Sequence, residues 1–516
     1  MIPRVKLSDK SEKAENIAVE ISKPKSGKTC VSTARRAFDE SRTKTIKFRE
    51  KQLKQLLKMY TETESEMVEA INKDLRRPKH ESYIFEIDFI KNDLKNVLAN
   101  FKDWVQPESA QKKIIFPLDT LRIYNDPLGV ILLMGAWNYP LQASLLPIAS
   151  AIASGNCFVL HPSPISSHAA AYIAENIPKY LDQECYQIYT GDVKDILKER
   201  FDYIFYIGQK YLGTHIAKAA AIYKTPITLV MGGKNPVYLD DSADMEISAR
   251  RIMWGKCVNS GQTCIGPEYL LCTKSTEQKF IKAAEKALRE FYTEDPKTSP
   301  HFARIISDKH FEKLLTYLEE HTVALGGQFD KKERYMQPTI LTNVNPNSSI
   351  MDEEIYGPIL PIITVDNIQK AIAFINAREK PLSMYIFSKN RNNIKLMLES
   401  TSAGGVTVND TLTHIISGNL PFGGVGHSGM GSYLGKKTFD SFVHKKSVFI
   451  RPQNTLWEKV ETLRYPPYSE KKRKLLSFAL AHRPDMPWRY LSYVAVFMFG
   501  VLLTLVLMIV LRADFD

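Results

Sequence analysis

The sequence predicts an α/β protein built around a doubly wound, mostly parallel sheet, and three observations carry that expectation. From Gly129 onward, short apolar runs of strand length alternate with helical ones, which is the pattern of a parallel sheet covered on both faces. A second alternating stretch covers residues 231–416. The chain has 516 residues, 44% of them hydrophobic, enough for two or three packed cores, because single cores rarely grow past roughly 250 to 300 residues.

Taken in order, the chain opens with a Lys/Ser-rich leader over residues 1–30 that lacks the apolar core of a signal peptide. From Val31 to about Ala99 the text is helical, with Leu and Met at three- to four-residue spacing in "KFREKQLKQLLKMYTETESEMVEAINKDL". "PESAQKKIIFPLDTLRIYND", 107–126, reads as a protruding strand pair that interrupts a first domain spanning 31–230. In that domain "VILLMGAW", "CFVLHPS", "CYQIY" and "FDYIFYIG" are the strand-like runs. In 231–416 they are "EYLLCT", "ILPIITV" and "LSMYIFS", with helices at "FIKAAEKALREFY" and "KHFEKLLTYLEEH". A Gly-rich segment over 417–450 and a basic segment over 451–489 follow.

Residues 490–511, "YLSYVAVFMFGVLLTLVLMIVL", contain no charge and are long enough at about 1.5 Å per residue to cross a hydrocarbon core of roughly 30 Å. Lys and Arg concentrate on the N-terminal side of this run, so the positive-inside bias predicts a tail anchor with the large domains facing the cytoplasm. The basic "EKKRKLLSFALAHR" ahead of it suits anionic headgroups. The net charge of +12 is spread among acids and accompanies no finger or RNP-like motif, so a nucleic-acid partner is not expected. Six cysteines without a CxxC pair, and histidines without ligand spacing, argue against disulfide frameworks and zinc.

One cysteine stands apart. Cys264 lies in the polar turn "NSGQTCIGP" between Gly261 and Gly266, where the thiol is approachable and backbone N–H groups can face a developing oxyanion. Gly208, after "YIFYI", and Gly213, expected to open a helix, give a G-x-x-x-x-G-T turn. It lacks the lysine of a phosphate-cradling loop, and Thr214 stands in its place.

The motifs "GAWNYPLQ", "MGGKNP", "NSGQTCIGPEY", "MDEEIYGPILPI", "LPFGGVGHSGMG" and "LRYPPYS" occur in this order. Together they resemble the aldehyde dehydrogenase superfamily, in particular its class 3 branch, and with the tail run the membrane-bound fatty aldehyde dehydrogenases. The resemblance implies a Rossmann-type cofactor domain, an α/β catalytic domain, a hairpin that pairs with the segment after Pro421 in a homodimer, and residence in the endoplasmic reticulum membrane. It implies oxidation of long-chain aldehydes to acids with NAD, NADP being left open. Cys264 would be the nucleophile, forming a thiohemiacetal and then a thioester, and Asn138 would help hold the oxyanion. Trp137, His161, Gly208, Gly213, Gly232, Glu354 and Tyr356 form the implied cofactor-binding set, with Glu354 on the nicotinamide ribose and no metal.

Three departures bear on that reading. Val230 in "TLVMGGKNP" occupies the position of the family's general base, a Glu, and valine cannot accept a proton. "HPSP" puts His161 and Pro164 where the family has a lysine and a carboxylate toward the adenine ribose. Gln209 replaces a Ser or Asn after Gly208. Three outcomes stay open at this point: a working dehydrogenase in which a water or another carboxylate, Glu353 or Glu268, serves as base; an enzyme that passes its thioester to a thiol; and a membrane-tethered pseudoenzyme.

Overall fold

The structure, a computed structural model, describes residues 25–112, 119–418, 420–453, 455–481 and 493–504. It divides into two compact units. One comprises the chain to Gln106 together with Tyr124–Lys446, and the other comprises Pro107–Ile123 with the chain from Ser447 onward.

The larger unit opens with a helix at Gly27–Asp39, capped by the Ser26 hydroxyl, which accepts from the Thr29 N–H at 3.1 Å. The leader expected over 1–30 therefore ends earlier than its composition suggests. Cys30 is fully buried in the first core, so packing draws residues 27–30 into the helix. Helices Ile46–Glu62, Glu64–Leu75 and Asp88–Trp104 follow. A π-helical turn, Tyr83–Ile87, leads into the last of these.

Two sheets organise the rest. The first has six strands in the order Gly429–Met430, Ile227–Met231, Tyr203–Gly208, Val130–Met134, Cys157–His161 and Tyr186–Ile188, all parallel except the first. The chain leaves Val130–Met134 toward one edge and later returns on its other side. That reversal opens a crevice at the carboxyl ends of the strands. These strands are nearly continuous apolar runs because helices cover both faces.

The second sheet has seven strands, Thr322–Leu325, Thr339–Thr342, Ile359–Thr364, Tyr269–Cys272, Pro236–Leu239, Ser383–Phe387 and Gly405–Val408, parallel except for the first. Only Gly232–Asn235 separate Ile227–Met231 of one sheet from Pro236–Leu239 of the other. Carboxyl ends of the first sheet therefore meet amino ends of the second across a few residues.

In the smaller unit, Glu108–Ser109 pairs antiparallel with Ile123 and Arg122 of the strand Thr120–Pro127. Arg451 holds Asp119 through a bidentate pair at 3.0 and 2.9 Å. A basic helix, Glu470–Leu480, carries exposed Leu475 and Phe478. Of the apolar run 490–511, residues 493–504 are described and helical, and the remainder lies outside the described residues, as do 1–24 of the leader and 113–118 of the strand pair. No helix among the described residues is long and apolar enough to cross a membrane.

Candidate functional site

Four loops converge where the two sheets meet: 135–139 after Val130–Met134, 232–235 between the sheets, 258–266 before Tyr269–Cys272, and 353–358 before Ile359–Thr364. A buried ion pair ties the first and third together. Arg77 and Glu86 are fully buried and salt-bridged. Arg77 also donates to the Asn138 carbonyl and, at 3.0 Å, to Asn259 Oδ1, while its guanidinium lies 4.5 Å from the Tyr139 ring centroid. The second Glu86 oxygen accepts from the N–H groups of Leu141 and Gln142 at 2.7 and 2.9 Å, satisfying the first turn of helix Pro140–Ser154. Neither residue stood out in the sequence.

The cysteine loop owes its shape to local backbone. Asn259, Ser260 and Gly261 have φ of 53°, 54° and 75°, three successive left-handed residues. A Cβ on Gly261 would lie 2.2 Å from the Gly357 carbonyl oxygen, so this glycine serves a close backbone approach as well as a positive φ. The loop is then pinned from outside. Asn235 Nδ2 donates to the carbonyls of Cys264 and Gly266 at 2.9 and 3.0 Å, and the Tyr139 hydroxyl pairs with Thr263 at 2.8 Å. Asn138 Nδ2 donates to the Gln262 carbonyl at 3.1 Å, which leaves one amide hydrogen for a further acceptor.

Cys264 is partly exposed, whereas the other five cysteines are buried. Burial of the sulfur, reinforced by the nearby Glu354 carboxyl, pushes the thiol up to about 12. It is therefore protonated at neutral pH. Its alkylation by iodoacetamide is expected to quicken about tenfold per pH unit between pH 7 and 10 without levelling off, because only the thiolate reacts. Glu354→Gln removes a like charge and is expected to raise the rate at pH 9. A plateau beginning near pH 8 in the parent protein would contradict this.

A second buried charge cluster fixes the 353–358 loop. Lys234 donates to Glu268 Oε2 at 3.1 Å and to the carbonyls of Ile350 and Glu353 at 2.6 and 2.8 Å. Glu268 accepts from the Ile355 N–H at 2.7 Å, and Lys256 lies 3.6 Å from its other oxygen. Burial opposes the charge on Glu268, but Lys234 and Lys256 outweigh it and hold the carboxyl below its ordinary range. Glu268 is thus an ionised structural partner with no lone role as a base. Glu353 pairs with Lys313 at 2.6 Å on the exposed side.

Two cavities meet at the cysteine. A polar cleft of about 550 Å³, open to solvent, is lined by Trp137, Asn138, Gly208, Gly232, Glu354 and Tyr356, with Val230 in its wall and Lys210, Lys313 and Lys380 around it. A narrow apolar cavity is lined by Phe85, Phe89, Tyr139, Leu412, Phe422 and Tyr433 among others. Cys264 is the one residue common to both linings. Trp137 packs beside Tyr356 and His310, with centroids 5.9 and 6.4 Å away, and His310 Nε2 lies 2.6 Å from the Tyr356 carbonyl oxygen.

Two sequence-selected residues sit elsewhere. His161 is buried with Nδ1 2.9 Å from the Tyr189 carbonyl oxygen, and it does not line the cleft. Burial lowers its pKa, so it is neutral. Gly213 does not open its helix, which runs Lys210–Tyr223 with Gln209 as N-cap; it lies in the first turn beneath Met231 and Tyr206.

The family model described as the aldehyde dehydrogenase family matches residues 4–448. The chain belongs to that family. Among curated relatives, this aldehyde dehydrogenase is 43% identical over 440 residues to the dimeric NADP-preferring aldehyde dehydrogenase of Rattus norvegicus, covering 85% of this chain and 97% of the relative. It is 42% identical over 449 residues to aldehyde dehydrogenase family 3 member A2 of Mus musculus, covering 86% and 92%. Among solved structures, the substrate-bound AldH of Staphylococcus aureus superposes with a TM-score of 0.84 at 36% identity, over 87% of this chain and 99% of that one. An NAD+ complex of betaine aldehyde dehydrogenase from the same organism gives 0.74 at 26% identity, over 84% and 88%. The protein is an NAD(P)-dependent aldehyde dehydrogenase that oxidises aldehydes to acids.

Proposed function

We propose that Cys264 is the nucleophile of this aldehyde dehydrogenase, that its preferred substrates are long unbranched aldehydes, and that it works as a homodimer tethered by residues 490–511 to a cytoplasm-facing membrane, the endoplasmic reticulum membrane being the candidate the family suggests. The observation that carries the reading is the position of Cys264 at the junction of an apolar cavity and a polar cleft. The cavity suits an alkyl chain and the cleft suits a dinucleotide.

The cleft residues fit such a cofactor. Gly208 and Gly232 leave room for close approach, the N-terminus of helix Lys210–Tyr223 and Lys210 favour a diphosphate, and a buried Glu354 oxygen lacks a partner that a ribose hydroxyl would supply. When bound, the nicotinamide supplies the hydride acceptor. After its thiol proton passes to solvent, Cys264 Sγ adds to the aldehyde carbonyl while the free Asn138 amide hydrogen and the Cys264 N–H stabilise the oxyanion. Loss of hydride leaves a thioester on Cys264. A second reading, transfer of the acyl group to a thiol, is favoured by one observation: Val230 offers no proton acceptor.

The membrane tether matches the substrate, because each methylene favours an apolar site by about 0.8 kcal/mol. By the same figure, kcat/KM is expected to rise about fourfold per methylene until the cavity is filled. A flat response across unbranched aldehydes would rule out the substrate reading. Truncation before Trp488 is expected to abolish co-sedimentation with uncharged vesicles, to which the retained basic segment has no attraction, while leaving turnover of short aldehydes intact. Full binding by the truncated protein would rule out the tether. The rat relative is a dimeric aldehyde dehydrogenase by name, which supports the homodimer, and sedimentation at twice the chain mass is the measurement that tests it.

A further inference from the structure

The 230 position raises a chemical problem that the neighbouring loop answers. Hydrolysis of a thioester needs a group that takes a proton from water, and the strand Ile227–Met231 presents valine where a carboxylate would serve. Gly232, two residues on, also lines the cleft, and the Glu354 side chain lies directly on it: a Cβ at 232 would be 1.8 Å from Glu354 Oε1. Two residues of extended chain span on the order of 6 to 7 Å, so the 353–358 loop delivers a carboxyl close to the place the strand leaves bare. That oxygen is buried and has no hydrogen-bond partner, and Glu354 is among the residues lining the cleft that holds Cys264 and Asn138. Of the two carboxylates the sequence offered as replacements, Glu268 is clasped by two lysines and Glu353 by Lys313 on the exposed side.

We propose that Glu354 is the proton acceptor in thioester hydrolysis, replacing the carboxylate that the chain lacks at Val230. The proposal rests on the reading of Cys264 as nucleophile. With the cofactor gone and the Glu354 oxygen free of a ribose hydroxyl, water adds to the thioester carbonyl as its proton passes to Glu354. The tetrahedral oxyanion, held at Asn138, collapses with cleavage of the C–S bond, the Cys264 thiolate leaves, and the carboxylic acid departs. Glu354 then releases its proton to solvent, so the step consumes one water and needs no oxidant.

The surroundings suit the role. Burial, then the charge of Glu268, raise the Glu354 carboxyl to about 8, while the Gly233 N–H, Lys234 and Lys313 oppose the rise. Tyr356, itself raised by burial and by Glu354, stays neutral beside it. The group is protonated below this value and able to accept a proton above it, so hydrolysis is expected to quicken as pH rises through about 8.

A cofactor-independent assay isolates the step. p-Nitrophenyl acetate acylates a nucleophilic cysteine directly, and release of p-nitrophenolate by the full-length protein reports first the burst of acylation and then hydrolysis. The parent protein is expected to give a burst of one equivalent followed by sustained release. Glu354→Gln should keep the burst, which also shows that it folds, but slow sustained release by about 10²- to 10⁴-fold and abolish its rise near pH 8. Adding Val230→Glu to Glu354→Gln should restore turnover. Undiminished sustained release by Glu354→Gln would overturn the proposal. So would a parent protein that bursts, stalls and restarts only with added thiol, which would leave Cys264 standing and favour acyl transfer. Absence of any Cys264-dependent burst would instead overturn the nucleophile reading, and this proposal with it.

Discussion

Arg77→Met is expected to destabilise the protein by about 3 to 5 kcal/mol and to abolish most aldehyde turnover, although Arg77 lines neither cavity. The side chain is fully buried, and its removal strands four groups at once: the Glu86 carboxylate, the Asn138 carbonyl, Asn259 Oδ1 and the face of the Tyr139 ring. Breaking one half of a buried pair costs more than the pair contributes, because the remaining charge has lost its solvent and its partner together. Arg77→Lys is expected to recover little, since an ammonium cannot reach three divergent acceptors as a planar fork does. The same loss frees the loop carrying Asn138 from the loop carrying Cys264, so activity should fall further than stability alone requires.

The pH dependence of that deficit has a definite sign. Burial already raises Glu86 above its ordinary 4.5, with Arg77 and the N–H groups of Gln142 and Leu141 opposing it. Without Arg77 the folded-state pKa climbs further above the unfolded one. Such a group contributes stability that is complete below the unfolded value and lost as pH rises through the folded value. The gap between parent and variant in denaturant midpoint should therefore be small near pH 4.5 and widen toward neutral pH. An equal gap at both ends would show that the pair does not act through the Glu86 charge.

Such residues show where sequence reading reaches its limit. The sheets were legible because strand and helix periods alternate, and "CFVLH" or "YLLC" are apolar on both faces only in a covered parallel sheet. The loops bearing Asn138, Cys264 and Glu354 were legible as motifs. Arg77 and Glu86 were not, since a charged residue in a helical text reads as a solvated face until tertiary contacts bury it. A π-helical turn at Tyr83–Ile87 aims Glu86 inward, a local geometry that periodicity does not encode. Likewise His161 ends a strand as the motif requires, but its ring turns to the Tyr189 carbonyl instead of the cleft. The fate of Glu268 depends on Lys234 and Lys256, which approach it from a different loop and a helix.

Cys264→Ser is expected to lower turnover by about 10⁴-fold or more while leaving fold and cofactor affinity unchanged. Oxygen replaces sulfur with almost the same shape, and the partners that pin the loop, Asn235 to the 264 and 266 carbonyls and Tyr139 to Thr263, touch no side-chain atom of residue 264. Chemistry alone changes. A serine hydroxyl ionises far above a thiol, and burial beside Glu354, which already pushes the thiol up to about 12, would hinder an alkoxide still more. Val230 cannot help by taking the proton. Any ester that did form would also expel a poorer leaving group than thiolate, so both halves of the cycle would slow. Fluorescence titration with NAD and NADP beside steady-state turnover separates these effects: unchanged affinity with lost turnover places Cys264 in the chemistry, whereas a variant that still oxidises aldehyde at a comparable rate would remove it from that role.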